Sequence, residues 1–226
     1  MKLASLFSGG KDSVLGLYKA SAKHDVVCLI TIESENKESY MFHTPNISLT
    51  QTQSEALDLP LIKVVTKGEK EKELAELKQA IQQAIDEYQI EGIVTGTVAS
   101  TYQASRVQKI CNELDIWCFN PLWQMDQIEL LNDLIENKFE VYIAGVFAYP
   151  FGEEWLGKII DKSMIGKLKQ MQEELKINPA GEGGEIETFV TDCPAFKKKI
   201  IITKYSTEYD NYAGVFNIEE TKLEEK

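Results

Sequence analysis

The sequence predicts an α/β fold, a doubly wound parallel sheet, joined to a second, smaller α+β domain. Three observations carry this: apolar runs and amphipathic segments alternate through the first half, the second run is apolar almost without interruption, and the alternation stops after Pro121. Residues 2–7 read as the first strand. Residues 13–23 place Val14, Leu17 and Tyr18 at the i, i+3, i+4 spacing of a helix face. Residues 25–32, DVVCLITI, form the β-branched run of a strand buried on both sides. Ser48 or Thr50 caps a helix through Leu57, and Pro60 follows it. LIKVV (61–65) is a strand, and 69–88 is a long amphipathic helix carrying Leu74, Leu77, Ile81 and Ile85. EGIVTGTV (91–98) is a strand ending in Gly96, 104–114 a helix, and IWCFN (116–120) the last strand of the series. Repeated β-α units of this kind require a parallel sheet with helices on both faces.

Beyond Pro121, helices at 126–136 and 167–175 surround the strand-like EVYIAGVFAY (140–149). EIETFVTD (185–192), KKKIIITKYS (197–206) and GVFNIEE (214–220) then read as strands with no helix between them. A boundary therefore falls near residue 120, dividing 1–120 from 121–226. The lysines at 197–199 suit a solvated strand edge, and the terminal EETKLEEK (219–226) is expected to be a frayed, solvated tail.

Composition excludes several functions. The 226 residues hold 36 acidic and 24 basic side chains, a net charge of −12, whereas nucleic-acid affinity needs clustered Lys and Arg. No stable nucleic-acid partner is expected. The cysteines Cys28, Cys111, Cys118 and Cys193 form no C-x-x-C pair, which removes a zinc knuckle and a thioredoxin-type redox site. Cys28 and Cys118 lie in apolar runs and read as small buried hydrophobes. The N-terminal apolar stretch is too short for a signal peptide, and VYIAGVFAYPFG (141–152) is too short to span a bilayer. A reduced, cytoplasmic protein without membrane attachment is the expectation.

The stretch SLFSGGKDSVLGLY (5–18) joins the first strand to the first helix. In a strand–turn–helix the turn amides and the helix N-terminus point at one spot, which suits an anion. Gly9 and Gly10 let an oxygen approach the backbone, Ser8 and Ser13 add hydroxyls, and Lys11 adds a charge. Walker A fails, because Asp12 follows Gly10-Lys11, and the dinucleotide fingerprint fails, because the glycines are adjacent. Asp12 fits either a helix N-cap or an indirect ligand of a phosphate-bound Mg2+.

S-G-G-K-D-S after a first strand resembles the PP-loop of the N-type ATP pyrophosphatase superfamily. The resemblance implies a Rossmann-like domain of the HUP class in which Ser8, Gly9, Gly10, Lys11, Asp12 and Ser13 hold ATP, with Mg2+ held indirectly through Asp12. A substrate oxygen attacks the α phosphate, and the loop retains the departing pyrophosphate. The thiolases of this superfamily need cysteines at defined spacings, which this chain lacks. No glutaminase segment is evident, so free ammonia, a substrate amine or an amide from a partner is the nitrogen source.

The stretch NPAGEGGEIETFVTDCPAF (178–196) packs Glu182, Glu185 and Glu187 with Gly181, Gly183, Gly184 and Thr188. As structure alone it is a charged hairpin loop. As chemistry, carboxylates near an ATP site hold an ammonium ion or accept a proton from an attacking amine. Together with SGGKDS, SYMFHTPN (39–46), TGTVASTYQASRVQKIC (95–111) and NPLWQ (120–124), it makes the chain resemble the diphthine–ammonia ligases in their compact archaeal form. The matching pieces run in order from residue 8 to 196.

That resemblance implies an ATP-dependent ligase that adenylates the diphthine carboxylate of elongation factor 2 and amidates it with ammonia, releasing AMP and pyrophosphate. Residues 1–120 would then bind ATP and 121–226 the substrate. Lys11, Asp12, Glu182, Glu185 and Glu187 would be catalytic, and Gly184 and Thr188 would face substrate. His43, Tyr102 and Gln103 are further candidates for the substrate side, although His43 also reads as an ordinary loop or core histidine. Elongation factor 2 and ammonium are the implied partners, and a homodimer stays open.

Other residues follow from position. Gly96 lies at the carboxyl edge of its strand, where open α/β sheets bind ligands. Arg106 is the only arginine, a planar donor suited to phosphate or carboxylate. Thr31 and Ile32, at the end of the second strand, are expected near adenine. His24 reads as a helix C-terminal residue, and Trp123 and Trp155 as packing. Two other functions remain open at this point: a PP-loop ligase or thiolase acting on tRNA or a metabolite, and a sensor that holds ATP without turnover.

Overall fold

The computed structural model describes residues 1–35, 45–68 and 72–226. Five parallel strands build the first sheet: β1 (Lys2–Leu6), β2 (Asp25–Ser34), β3 (Leu61–Thr66), β4 (Gly92–Val94) and β5 (Trp117–Phe119), in the order β3-β2-β1-β4-β5. The connecting helices are α1 (Lys11–Ser21), α2 (Thr50–Leu57), α3 (Lys72–Tyr88) and α4 (Thr101–Glu113). This is the doubly wound sheet expected. Its strand order reverses between β1 and β4, so a crevice opens beyond their carboxyl ends.

The two faces of the sheet are covered differently. Ala4, Cys28, Ile30 and Ile93 pack under Leu77, Ile81 and Ala84 of α3 and Val107 and Ile110 of α4. On the other face, Leu3, Val94 and the α1 residues Val14, Leu15 and Leu17 belong to a core that continues into the second half of the chain. Helix α1 is therefore buried nearly all round: Lys11, Ser13, Val14, Leu15, Gly16, Leu17 and Ala20 are all shielded from solvent.

The second half holds α5 (Gln127–Glu136), β6 (Glu140–Val146), α6 (Lys162–Leu175), β7 (Ile186–Asp192), β8 (Lys198–Asp210) and β9 (Ala213–Glu225). Asp126 caps α5 by accepting from Ile128 and Glu129 N–H groups at 2.9 and 3.0 Å. Its four strands form an antiparallel sheet in the order β7-β6-β9-β8. Phe189 and Val190 of β7 and Leu130 and Leu134 of α5 belong to the same core as the buried residues of α1, and β7 packs against α1.

Three local expectations are corrected. EGIVTGTV is a strand only to Val94, because the Thr95 hydroxyl captures the Thr97 N–H at 3.1 Å and turns the chain. Neither Ser48 nor Thr50 caps α2, which is entered through a 3-10 turn at Ile47–Leu49 with no side-chain cap. The terminal EETKLEEK is no frayed tail but the second half of β9. Leu223 pairs opposite Ile200, and Lys198 bonds Glu225 at 2.8 Å. Charges that look solvated locally find their partners across the hairpin. β8 is the edge strand, as the lysine run suggests, and Lys199 pairs with Glu140 at 2.7 Å.

Deleting residues 220–226 is accordingly expected to cost about 2–3 kcal/mol, since it uncovers Ile200 and removes a paired strand end. The urea unfolding midpoint measures this, and an unchanged midpoint would mean that the segment is a free tail after all.

Candidate active site

A cavity of about 640 Å3 lies beyond the carboxyl ends of β1 and β4. The turn after β1, the turn after β4 and the glycine–glutamate loop before β7 meet there. Ser8, Gly10, Lys11, Asp12 and Ser13 line it, as do Gly96, Gln103, Glu182, Gly184, Glu187 and Thr188. Residues far apart in sequence thus share one wall.

The turn after β1 is bound tightly to β7. Gly9 takes φ +78°, and its carbonyl accepts the Val190 N–H at 3.1 Å. The Lys11 N–H donates to the Thr188 hydroxyl at 3.0 Å. Within the turn, the Ser13 hydroxyl donates to the Gly10 carbonyl at 3.0 Å and accepts the Ser8 N–H at 3.3 Å, so it braces the turn from inside. Asp12 is not the helix cap; Gly10 holds that position and Asp12 lies in the first turn. Its Oδ2 pairs with Lys11 Nζ at 2.8 Å, while its Oδ1 is buried without a hydrogen-bond partner. Gly96 is required by proximity, because a Cβ there would lie 2.4 Å from the Asp12 carbonyl carbon.

The glutamates divide by environment. Glu185 does not line the cavity; its carboxylate accepts from the Asn178 N–H (3.0 Å), Asn178 Nδ2 (2.7 Å) and the Gly183 N–H (2.9 Å), and so folds the loop. Gln127, at the start of α5, grips the same loop through Asn178 at 3.1 Å and the Ala180 N–H at 3.0 Å. Glu182 lines the cavity opposite the turn after β4. Burial, reinforced by the charge of Asp12, raises its carboxyl above the ordinary range. Burial raises Glu187 further, to about 7, against the opposing pull of Lys11. For Lys11 itself burial works downward, but Asp12 and the two glutamates outweigh it, so its ammonium is held above the ordinary value. Three carboxylates face one ammonium, a surplus of negative charge beside a cradle of backbone donors.

Other expected residues lie elsewhere. Thr31 is fully buried with its hydroxyl donated to the Phe7 carbonyl at 2.6 Å; Ile32, expected beside it, does line the cavity, as does Ile30, the next residue on the same face of the strand. Tyr102 and Arg106 stack on each other, the guanidinium 3.4 Å from the ring centroid, and neither lines the cavity. His43 lies outside the described residues. Among residues not anticipated, Thr95, Thr97 and Ser100 line the wall after β4, and Gln53 of α2 is fully buried against Gly9. Trp155 packs edge-on against Phe151, while Trp123 is half-exposed on the surface. Among the described residues no helix is long and apolar enough to cross a membrane.

Two family models match the chain: the diphthamide synthase N-terminal domain over residues 1–117 and the diphthamide synthase C-terminal domain over residues 126–223. A protein of Schizosaccharomyces pombe named diphthine–ammonia ligase is 33% identical over 220 residues, covering 90% of this chain and 36% of that protein. One of Homo sapiens with the same name is 33% identical over 223 residues, covering 89% of this chain and 83% of its own length. One of Danio rerio is 31% identical over 245 residues, covering 99% and 96%. The chain thus spans about a third of the S. pombe relative and most of the two vertebrate ones.

Two outcomes follow from the geometry. Gly96→Ala drives a Cβ into the Asp12 backbone and is expected to cost about 1–3 kcal/mol in thermal or urea unfolding; a neutral effect would contradict the close approach. Glu187 has an ordinary value of 4.5 and about 7 in the fold, so its contribution to stability is full below 4.5 and lost as pH rises through about 7. Glu187→Gln removes that penalty. The stability of the variant minus that of the wild type should rise by about 2 kcal/mol between roughly pH 5 and pH 8, and a flat difference would rule out the buried ionisation.

Proposed function

The chain belongs to the diphthamide synthase family, and we propose that it is an ATP-dependent amide ligase acting on the diphthine carboxylate of elongation factor 2. The observation that carries this reading is the convergence of the SGGKDS turn and the glutamates Glu182 and Glu187 on one cavity. A cradle of amides and a lysine suits the pyrophosphate end of ATP; carboxylates beside it suit ammonium. In this reading residues 1–120 bind ATP and 121–226 supply the substrate side.

A carboxylate oxygen of the substrate attacks the α phosphate, the bond to the β phosphate breaks, and pyrophosphate leaves. Ammonia then attacks the acyl carbon, AMP departs, and the nitrogen gives up its surplus proton. Activation is needed because ammonia does not displace an oxide anion, whereas AMP is a stable leaving group. Lys11, paired to Asp12 at 2.8 Å, supplies a fixed positive charge where the leaving pyrophosphate gathers negative charge. Glu187, titrating at about 7, is matched to accept a proton near neutrality. Glu182 shares its side of the cavity and adds the negative potential that draws ammonium in. Glu185 acts through the loop, holding Glu182 and Glu187 in register.

The buried and unpartnered Oδ1 of Asp12 fits a hard cation, which takes oxygen ligands directly or through water. When bound there, Mg2+ would neutralise phosphate charge. With three carboxylates around Lys11, such a cation would ease the entry of a polyanion. The net charge of −12 favours a protein over tRNA as the macromolecular partner.

Incubation with ATP, Mg2+, ammonium and diphthine-bearing elongation factor 2 is expected to release AMP and pyrophosphate and to convert carboxylate to amide on the factor, read by mass spectrometry. Pyrophosphate release with no change in the factor would move the substrate elsewhere; no release at all would sink the ligase reading. Glu187→Gln is expected to lower kcat by about 10²-fold or more and to abolish the rise of activity through pH 7.

A further inference from the structure

Gln53 is fully buried on α2, yet its side chain is polar and one of its two polar atoms, Oε1, has no hydrogen-bond partner. An unpaired buried oxygen costs free energy that a methionine or leucine of similar volume avoids. The carboxamide nitrogen explains its presence. Nε2 donates to the Gly9 carbonyl at 2.9 Å and to the Val190 carbonyl at 2.8 Å. Since both neighbours are acceptors, the amide can be oriented only one way, and Oε1 is left against Gly9. A Cβ on Gly9 would lie 2.0 Å from that oxygen, so the carboxamide lies flat on the glycine.

The Gly9 carbonyl therefore accepts two hydrogen bonds, one from Gln53 and one from the Val190 N–H. With both lone pairs engaged, its direction is set towards α2 and β7. In a planar trans peptide the following N–H points the opposite way. We propose that Gln53 is a positioning residue for the phosphate turn: by holding the Gly9 carbonyl against β7 it aims the Gly10 N–H into the cavity, at the pyrophosphate end of the nucleotide. The same carboxamide bridges the turn to the strand that carries Glu187 and Thr188, so it also sets the spacing between the donors and the carboxylates. This rests on the ligase reading, in which the turn holds the departing pyrophosphate.

The test is isothermal titration of wild type, Gln53→Met and Gln53→Leu with two probes in the presence of Mg2+: inorganic pyrophosphate and adenosine. Both substitutions keep roughly the volume of the side chain and remove its donors. Pyrophosphate affinity should fall about tenfold or more in both, because the donor it meets is no longer aimed. Adenosine affinity should stay at the wild-type value. Unchanged pyrophosphate affinity, or an equal loss for adenosine, would overturn the positioning role and leave Gln53 as packing. A wild-type chain that binds neither probe would overturn the ATP reading beneath it, which separates the two failures. Should the variants fail to fold, the wild type decides: the Gln53 side-chain amide resonances should shift with pyrophosphate and not with adenosine, and the reverse pattern refutes the role.

Discussion

The seam between the turn at Gly9–Lys11 and the strand at Thr188–Val190 is the contact on which the rest of the site depends. It consists of a few hydrogen bonds: Val190 N–H to the Gly9 carbonyl, Lys11 N–H to the Thr188 hydroxyl, and the bridging carboxamide of Gln53. Each contributes only about 1 kcal/mol net to stability, but they act on a glycine turn that has little shape of its own. Without the seam, two adjacent glycines would sample many conformations. With it, the backbone donors of the turn and the carboxylate of Glu187 are held by one element, β7.

Electrostatically the site is arranged against its own ligand. Asp12, Glu182 and Glu187 surround Lys11 in a chain that is already acidic. A polyphosphate would meet repulsion unless a proton or a cation came with it. The raised Glu182 and Glu187 values express that tension: burial and mutual repulsion favour the neutral carboxyl. A ligand that brings positive charge relaxes it, and in the proposed ligase reaction a metal–nucleotide complex and ammonium would both be ligands of that kind.

The parallel half of the fold was legible because its strands are continuous apolar runs and its helices carry apolar residues at helical spacing. The turn at 8–13 and the block at 181–188 were legible as chemistry, and the structure brings them to one cavity. What was hidden depends on contacts across the sequence. EETKLEEK looks like a solvated tail until Lys198 and Ile200 stand opposite Glu225 and Leu223. Thr31 attracted attention as a polar residue at a strand end, but alternation turns it inward and sends Ile30 and Ile32 to the cavity. Glu185 is indistinguishable in sequence from its neighbours; only the Asn178 and Gly183 amides reveal that it folds the loop. Gln53 sits in an unremarkable polar helix, and no local pattern predicts two backbone carbonyls waiting for it.

The burial of α1 on nearly all sides has a consequence for modularity. The helix packs against both the parallel sheet and β7, and its buried residues share one continuous core with Phe189, Val190 and the α5 leucines. A nucleotide-binding domain is commonly regarded as a portable part, to be borrowed or fused intact. Here residues 1–120 on their own would carry the SGGKDS letters but expose an apolar helix flank and leave the turn without its seam. The two sheets therefore depend on each other for folding, and neither half would keep its core closed or its turn in shape if the other were removed.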